Sequence, residues 1–280
     1  MIILGCNGQL GQSFKKVLAH NSDAKFLSRN ELDITNNQDV QSYLNSLPAG
    51  SIVINCAAYT AVDKAEEERE LSSSINTEAV KHIADGCKKN DHLLIHFSTD
   101  YVYSNTENSP SSEDSKISPI NWYGETKHLG EKYIVENLKD YLIFRTSWLY
   151  SPFSNNFLKT VKRILEEKGE MKVVSDQIGN PTSTVMLAEK VIEILETKIR
   201  APGIYNLSGE GQVSWFEFAS VIAKEIDPKF KVHPIKSSEY PTKAKRPSYS
   251  AMSKEKVKST FKVEIPHWDK GIKECLIELS

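Results

Sequence analysis

The fold of this chain is decided by its first strand–helix junction, Ile2-Ile3-Leu4-Gly5-Cys6-Asn7-Gly8-Gln9-Leu10-Gly11. Its three glycines follow a G-x-x-G-x-x-G pattern between a short apolar run and a helical pattern. Glycines permit a tight turn and close approach of a pyrophosphate, and the helix start offers unpaired N–H groups. A simple turn with a helix cap is the alternative. The position at the first junction favours a dinucleotide-binding loop built on Gly5, Gly8 and Gly11.

Apolar strand-like runs alternate with helical patterns through the first half of the chain. Strands are predicted at Ile2–Leu4, Lys25–Leu27, Ser51–Asn55, His92–Phe97 and Tyr141–Phe144, with helices around Gln38–Leu47, Ser74–Lys89 and Asn121–Leu138. Such alternation predicts a parallel sheet with right-handed crossovers, covered on both faces. The fold class expected is α/β, a Rossmann-type doubly wound parallel sheet with a smaller C-terminal α/β substrate lobe.

The pattern loosens after Arg145, and the chain is expected to divide there. We predict helices at Asn156–Glu167, Thr184–Thr197 and Trp215–Ile226 and a strand at Met171–Val174, followed by a proline-rich tail. Residues 1–150 are predicted to form the dinucleotide-binding domain, to which a segment at about 170–200 returns. Residues 151–280 are predicted to form mainly a substrate-binding lobe.

Composition excludes several functional classes. Lys and Arg number 35 against 37 Asp and Glu, a formal net charge of −2, so nothing favours nucleic acid or an anionic membrane. No apolar run approaches the ~20 residues of a membrane span, and the N-terminal run is too short for a signal peptide. A cytoplasmic protein is expected. The four isolated cysteines form no C-x-x-C pair, which favours a structural role over metal or redox chemistry.

The end of the second strand indicates which cofactor is used. An acidic residue there normally binds the ribose 2′-hydroxyl of NAD, but this chain has Ser28-Arg29-Asn30. A guanidinium is a better partner for a 2′-phosphate, so Arg29 predicts NADPH, with NADH possible. The alternative is an ordinary solvated arginine. Asp33 comes slightly later and could flank the adenine.

Small residues follow the third strand. Ala57 and Ala58 would let a cofactor ribose lie against the backbone at the carboxyl edge of the sheet, where ligands bind in open α/β folds. Asn76 could bond backbone groups beside the cofactor, or could be an exposed helix asparagine.

Hydroxyl, phenol and ammonium groups follow the fourth strand. The run Ser98-Thr99-Asp100 comes first, and Tyr123 and Lys127 lie one helical turn apart, on one helix face. We expect the ammonium to lower a tyrosine pKa that is ~10 unperturbed, so that Tyr123 protonates a carbonyl oxygen. Thr99 or Ser98 could donate to the same oxygen, and Lys127 could also bind the nicotinamide ribose. A lone Y-x-x-x-K is nonspecific; the order of the motifs makes the set specific.

These motifs and their flanks resemble the dTDP-4-dehydrorhamnose reductase family of extended short-chain dehydrogenase/reductases. The resemblance rests on eight blocks: Gly8–Gly11, Cys56–Glu66, Ser98–Val102, Tyr123–Lys127, Arg145–Tyr150, Asn155–Phe157, Asp176–Thr182 and Arg246–Pro247. It covers nearly the whole chain.

The resemblance implies reduction of the C4 ketone of dTDP-4-dehydro-β-L-rhamnose to dTDP-L-rhamnose. It makes Tyr123 the proton donor, with Thr99 tuning its acidity, and Lys127 a cofactor ligand. The other cofactor residues implied are Gly8, Gln9, Leu10, Asp33, Ile34, Ala58, Tyr59 and Thr60. The implied contacts of the nucleotide-sugar substrate are Thr99, Asp100, Tyr123 and Trp148, with Arg246 as a plausible partner of the diphosphate. Trp148 could also be plain core.

Some relatives dimerise through metal-bound carboxylates, one of them early in the first helix. This chain has Ser13 there, so no such metal is predicted, and a homodimer is left open. Two other functions remain: reduction of another nucleotide-linked 4-keto-6-deoxysugar, and a non-catalytic NADP-binding regulatory subunit. The presence of both Tyr123 and Lys127 disfavours the second.

Overall fold

A computed structural model describes residues 1–103 and 108–279. The strands are β1 (Ile2–Leu4), β2 (Lys25–Leu27), β3 (Ile52–Asn55), β4 (Leu93–Thr99), β5 (Tyr141–Thr146), β6 (Leu149–Tyr150), β7 (Glu170–Val174), β8 (Ile178–Gly179), β9 (Thr182–Ser183), β10 (Gly203–Asn206), β11 (Val213–Ser214) and β12 (Lys231–Ile235). The helices are α1 (Gln9–Val17), α2 (Asn37–Asn45), α3 (Val62–Ala65), α4 (Arg69–Ser73), α5 (Ala79–Lys89), α6 (Trp122–Asn137), α7 (Phe157–Lys168), α8 (Thr184–Glu196), α9 (Trp215–Ile226), α10 (Glu255–Phe261) and α11 (Ile272–Ile277).

Six parallel strands form the central sheet, in the order β10-β5-β4-β3-β1-β2. Side chains of adjacent residues in a strand pack into the two apolar layers on opposite faces of the sheet. Ile3 and Ile54 pack on one face, whereas Leu4 and Val53 pack on the other. Because both faces are covered, the strands read as continuous apolar runs. The doubly wound Rossmann-type sheet predicted from the sequence is confirmed.

A third apolar cluster lies outside the central sheet. It gathers residues of α7, α9 and α11, such as Val161, Phe218 and Ile272, together with Trp268. Strands β7 and β12 pair in parallel beside it. The chain returns to the central sheet between β7 and α9, since α8 packs against α1 and β10 extends the sheet next to β5. The domain division at residue 150 stays a prediction.

The helix predicted at Ser74–Lys89 contains an irregular turn. Helix α4 runs into a π-helical turn, Ser74–Glu78, before α5 begins. Such turns often occur at functional sites. A Cβ on Gly130 of α6 would lie 2.5 Å from the carbonyl oxygen of Asn76, so only glycine permits the close approach of α6 to this turn.

Helix α6 is fixed at its start. Asn121 caps it by accepting a hydrogen bond from the Gly124 N–H at 2.8 Å, which satisfies one of the free amides of the first turn. The cap side chain also donates to the Lys245 carbonyl at 2.9 Å. The helix that carries Tyr123 and Lys127 is thus tied at its first turn to the C-terminal part of the chain. Within the described residues, no helix is long and apolar enough to cross a membrane.

Candidate active site

The glycine turn after β1 is packed tightly against the third strand. Gly5 has a φ of +72°, and a Cβ there would lie 2.6 Å from the Ala57 backbone nitrogen. A Cβ on Gly11 would lie 2.5 Å from the Gly5 carbonyl oxygen. Gly8 begins α1 with no side-chain cap. The turn therefore leaves the start of α1 open to an anion such as a pyrophosphate.

A cleft of about 310 Å³ lies beside this turn. Predicted cofactor residues from three strand ends line it: Gly5, Gly8, Arg29, Asp33, Ile34, Ala57 and Ala58. Within the described part of the chain, seven other predicted cofactor residues do not: Gln9, Leu10, Gly11, Tyr59, Thr60, Tyr123 and Lys127. The cofactor roles of all fourteen stay predictions. The narrow turn, the small alanines and the open helix start fit a dinucleotide.

At the outer wall of this cleft, Arg29 Nε donates to Asp33 Oδ2 at 3.2 Å. The Arg29 side chain is 73% exposed, which also fits the alternative of a solvated charge. Hydrogen bonds from Thr35, and then Arg29 itself, hold the pKa of Asp33 below its usual range. An acidic and a basic group therefore share this wall.

Asn76 clamps the loop after β3. Its side chain accepts from the Tyr59 N–H at 2.9 Å and donates to the Tyr59 carbonyl at 3.0 Å. It is buried in the π-helical turn, so the alternative of an exposed helix asparagine is wrong. The Tyr59 hydroxyl donates to Glu68 instead of reaching the cleft. The predicted contact of Asn76 with backbone beside the cofactor cleft is confirmed.

The hydroxyl set lies where β4 ends. Thr99 Oγ1 donates to Asp100 Oδ1 at 3.0 Å, and the ring of the partly buried Tyr123 lies 6.1 Å from that of Tyr101, two residues after Thr99. Burial raises the pKa of Asp100 to about 7. Burial and Asp100 also raise the pKa of Tyr123, and the Thr99 hydroxyl opposes that rise. The role of Thr99 in tuning the acidity of Tyr123 stays a prediction.

Lys127 does not act on Tyr123 as the sequence predicted. Its Nζ donates to the Phe97 carbonyl at 2.6 Å and lies 3.4 Å from His96 Nε2, and the described residues show no hydrogen bond from it to Tyr123. Burial lowers the pKa of Lys127 to about 8, against the pull of Glu131. The expectation that the ammonium lowers the Tyr123 pKa is wrong, because the lysine turns toward β4 and burial dominates at the phenol.

Sequence reasoning missed a buried ion pair behind Lys127. Arg145 of β5 donates to both carboxylate oxygens of Glu131, from Nε at 3.0 Å and from Nη2 at 2.7 Å. The two side chains are 2% and 1% exposed. Arg145 also donates to the Tyr103 hydroxyl, which donates to Asn206 of β10. Glu131 lies one turn after Lys127, and that spacing was the available indication.

A second cavity, of about 650 Å³, opens beside the third apolar cluster. Its lining includes Phe157, Trp215, Tyr240 and Arg246. Volume and aromatic lining are typical of a small-molecule site. Arg246 donates to both oxygens of Asp63, at 3.1 and 2.6 Å, and this lowers the pKa of Asp63. The predicted diphosphate partner therefore lines a cavity but already has a carboxylate partner.

Trp148 is held in an aromatic stack. Its ring lies 3.5 Å from that of Trp215, with 7° between the planes. Its φ is +46°, a strained backbone conformation for this residue, and Gly179 leaves no room for a Cβ against the ring. Trp215, which the sequence did not single out, faces the cavity while Trp148 supports it from behind.

Comparisons with known proteins agree over the full length of the chain. The family model described as RmlD substrate binding domain matches residues 1–280. The dTDP-4-dehydrorhamnose reductase of Burkholderia thailandensis is 34% identical, covering 100% of this chain and 98% of the relative. That of Escherichia coli K12 is also 34% identical, covering 100% and 97%. A crystal structure of dTDP-4-dehydrorhamnose reductase from Bacillus anthracis in complex with NADP superposes with a TM-score of 0.93, at 36% identity, covering 99% of this chain and 98% of that chain.

Proposed function

Since this chain belongs to the RmlD substrate-binding-domain family, we propose that it catalyses the NADPH-dependent reduction of the C4 ketone of dTDP-4-dehydro-β-L-rhamnose to dTDP-L-rhamnose. One observation carries the proposal. The cofactor-type cleft after β1 and β3 lies at the carboxyl edge of one parallel sheet, and so do Thr99 at the end of β4 and Tyr123 of α6, whose ring contacts that of Tyr101. Open α/β folds bind their ligands at that edge.

The acid in this reaction is Tyr123. When bound, NADPH supplies hydride to the ketone carbon. The raised pKa of Tyr123 keeps its proton in place at neutral pH, so the phenol starts in the donor form. It protonates the ketone oxygen as negative charge develops there, and Thr99 orients it. Asp100, with a pKa of about 7, can donate a hydrogen bond to a sugar hydroxyl or accept one from it.

Preference for NADPH over NADH rests on Arg29. The guanidinium lines the cleft beside Gly8 and Ile34, at the wall expected to receive the adenosine ribose. A 2′-phosphate would compete with Asp33 for this arginine, and phosphate is the stronger partner for a guanidinium fork. NADP in the similar Bacillus anthracis protein also supports the preference. Lys127, the glycine turn and Ala57–Thr60 complete the proposed cofactor site.

The nucleotide-sugar is proposed to occupy the second cavity. Phe157 and Trp215 offer aromatic faces for a base or sugar, with Trp148 holding Trp215 in place. Arg246 would turn from Asp63 toward the diphosphate. We also propose that the reaction takes place in the cytoplasm, where NADPH is available, and a homodimer stays a prediction.

An NADPH-oxidation assay with dTDP-4-dehydro-β-L-rhamnose tests the function. We expect cofactor absorbance to fall with substrate and NMR of the product to show the C4 configuration of L-rhamnose. The epimeric 6-deoxytalose product would assign the chain to the alternative 4-keto-6-deoxysugar reductases. No oxidation with the pure keto-sugar nucleotide would overturn the proposal and favour the regulatory-subunit alternative.

A further inference from the structure

A line of buried polar groups runs from β3 to Lys127. The Ala57 N–H donates to Asn55 Oδ1 at 3.1 Å, and Asn55 Nδ2 lies 3.2 Å from His96 Nδ1. On the other side of the ring, His96 Nε2 lies 3.4 Å from Lys127 Nζ. The side chains of Asn55, His96 and Lys127 are all nearly inaccessible to solvent. Each donor and acceptor in this line must therefore match its neighbour.

The backbone fixes the direction of the line. A peptide N–H can only donate, so the oxygen of the Asn55 amide must face Ala57 and its NH₂ group must face His96. An amide NH₂ also only donates, so His96 Nδ1 must present its lone pair. A neutral imidazole with a bare Nδ1 carries its proton on Nε2. That N–H points at Lys127.

An N–H directed at Lys127 favours one charge state of the lysine. An ammonium has only donors, so it would oppose the imidazole N–H, whereas a neutral amine offers a lone pair. Protonation of the ring brings no relief, since it would place a second charge beside the ammonium. Burial, and then the charge of Lys127 when it is an ammonium, hold the pKa of His96 well below its usual range, so the ring stays neutral in either charge state of the lysine.

The other groups around Lys127 favour its ammonium form or do not contact it. The Phe97 carbonyl accepts from either form of the lysine, more strongly from the ammonium. Glu131, on the same helix, favours the ammonium, but both its oxygens are engaged by Arg145 of β5. Asp100 follows β4 and Tyr123 lies in the first turn of α6, and among the described residues neither forms a hydrogen bond with Lys127. Among these neighbours, His96 is the polar group that favours the neutral amine.

We propose that His96 is a positioning residue whose Nε2–H, oriented by Asn55, favours the neutral amine of Lys127 and keeps this lysine able to exchange a proton at physiological pH. A group does so best when its pKa lies near the working pH. The inference rests on the proposed function only where it assigns Lys127 to the reaction.

The His96 tautomer can be measured on the cofactor-free protein. Nitrogen chemical shifts of ¹⁵N-histidine-labelled protein, assigned with His96→Leu, report which ring nitrogen carries the proton. We expect the neutral Nε2–H tautomer from pH 5 to 9. The Nδ1–H tautomer or an imidazolium would overturn the inference. This readout needs no turnover, so it fails or succeeds separately from the reductase assay.

Replacing the amide of Asn55 by a carboxylate should reverse the direction of the hydrogen bonds at His96. In Asn55→Asp, one oxygen still accepts from Ala57 and the other accepts from His96, so the ring should switch to Nδ1–H and its Nε2 should accept from the ammonium. We expect the proton affinity of Lys127, followed by ¹³Cε-lysine NMR and assigned with Lys127→Met, to rise by about tenfold. His96→Leu, which removes the opposing N–H, should also raise it.

Two controls separate this effect from general disturbance. Asn55→Asp in the His96→Leu background measures the added charge alone and should shift Lys127 less than Asn55→Asp does in the native background. His92 is a buried histidine just before β4 whose ring bonds the Leu44 carbonyl. His92→Gln should leave the pKa of Lys127 unchanged. An unchanged Lys127 pKa in both Asn55→Asp and His96→Leu would overturn the inference.

Discussion

Two regions of the proposed active site use arginine–carboxylate pairs in different ways. We call Glu131, Arg145 and Lys127 the floor, and the pairs Arg29–Asp33 and Arg246–Asp63 the rim. The floor pair is 2% and 1% exposed and joined by two hydrogen bonds. In the rim, Arg29 and Asp33 are 73% and 36% exposed, and Arg246 and Asp63 are 22% and 42% exposed.

Exposure decides what each pair can do. A solvated pair contributes about 0–1 kcal/mol, so a phosphate can replace its carboxylate at little cost. A buried pair cannot exchange partners, because removing one partner leaves an unpaired charge out of water. The floor therefore holds α6 and β5 in register beneath the reacting groups, and the rim is free to bind ligand. Substitutions should have their largest effect at the reaction centre, a smaller one at the floor and the smallest at the rim.

The largest effect is expected at Tyr123, the reacting group above the floor. Tyr123→Phe removes the proton donor, so kcat should fall by about 10²–10⁴-fold while NADPH affinity stays unchanged. Stopped-flow turnover and a fluorescence titration of NADPH measure the two. Tyr133→Phe, on the outer side of the same helix where the hydroxyl bonds Asp85, is the matched control. Near-normal turnover of Tyr123→Phe would reject its role.

Breaking the Glu131–Arg145 pair of the floor should lower the stability of the protein. Glu131→Gln leaves Arg145 unpaired in the interior and should lower the free energy of unfolding by about 3–5 kcal/mol in urea titrations. Glu136→Gln is the matched control, since Glu136 forms a loose, exposed pair with Lys132 at 3.9 Å on the same helix. It should change stability by less than about 1 kcal/mol. Equal effects of the two would remove the distinction between floor and rim.

The same Glu131–Arg145 pair should make the stability of the protein depend on pH. Burial alone would raise the pKa of Glu131, but His128, Arg145 and Ser98 together bring it down to about 2, from an ordinary 4.5. A depressed folded-state pKa stabilises the protein above pH 4.5, and that stability is lost as pH falls from 4.5 toward 2. Urea midpoints from pH 6 to pH 3 should fall less steeply in Glu131→Gln than in the native chain. Parallel curves would contradict the assignment.

The smallest effect is expected at the rim. Arg29→Ala should lower the NADPH-to-NADH ratio of kcat/KM by about tenfold, because one charged contact to the 2′-phosphate is lost. Stability should hardly change. Arg163→Ala removes a comparably exposed arginine that pairs with Glu167 on α7, and should leave the ratio intact. An unchanged ratio in Arg29→Ala would mean that Arg29 is an ordinary surface charge.

The cofactor cleft was easier to predict than the floor. Gly5, Arg29 and Ala57 follow strands that are continuous apolar runs, so the sequence places them at one edge. The contacts of Lys127 with Phe97 and His96 depend on how closely α6 approaches β4, which spacing along one helix does not determine. Strand β10 was missed because Gly203 and Asn206 leave only two apolar residues between them. Trp215 was missed because its stacking partner, Trp148, is distant in sequence.

Transfer of deuterium from cofactor to sugar tests the central claim most directly. NADPH deuterated at C4 of the nicotinamide, prepared separately in the 4R and 4S forms, is incubated with dTDP-4-dehydro-β-L-rhamnose and the native chain. We predict that one of the two forms delivers deuterium to C4 of dTDP-L-rhamnose, observed by ²H NMR, and that Tyr123→Phe nearly abolishes this product. Unlabelled product from both forms, or deuterium at another carbon, would contradict direct hydride transfer to the C4 ketone.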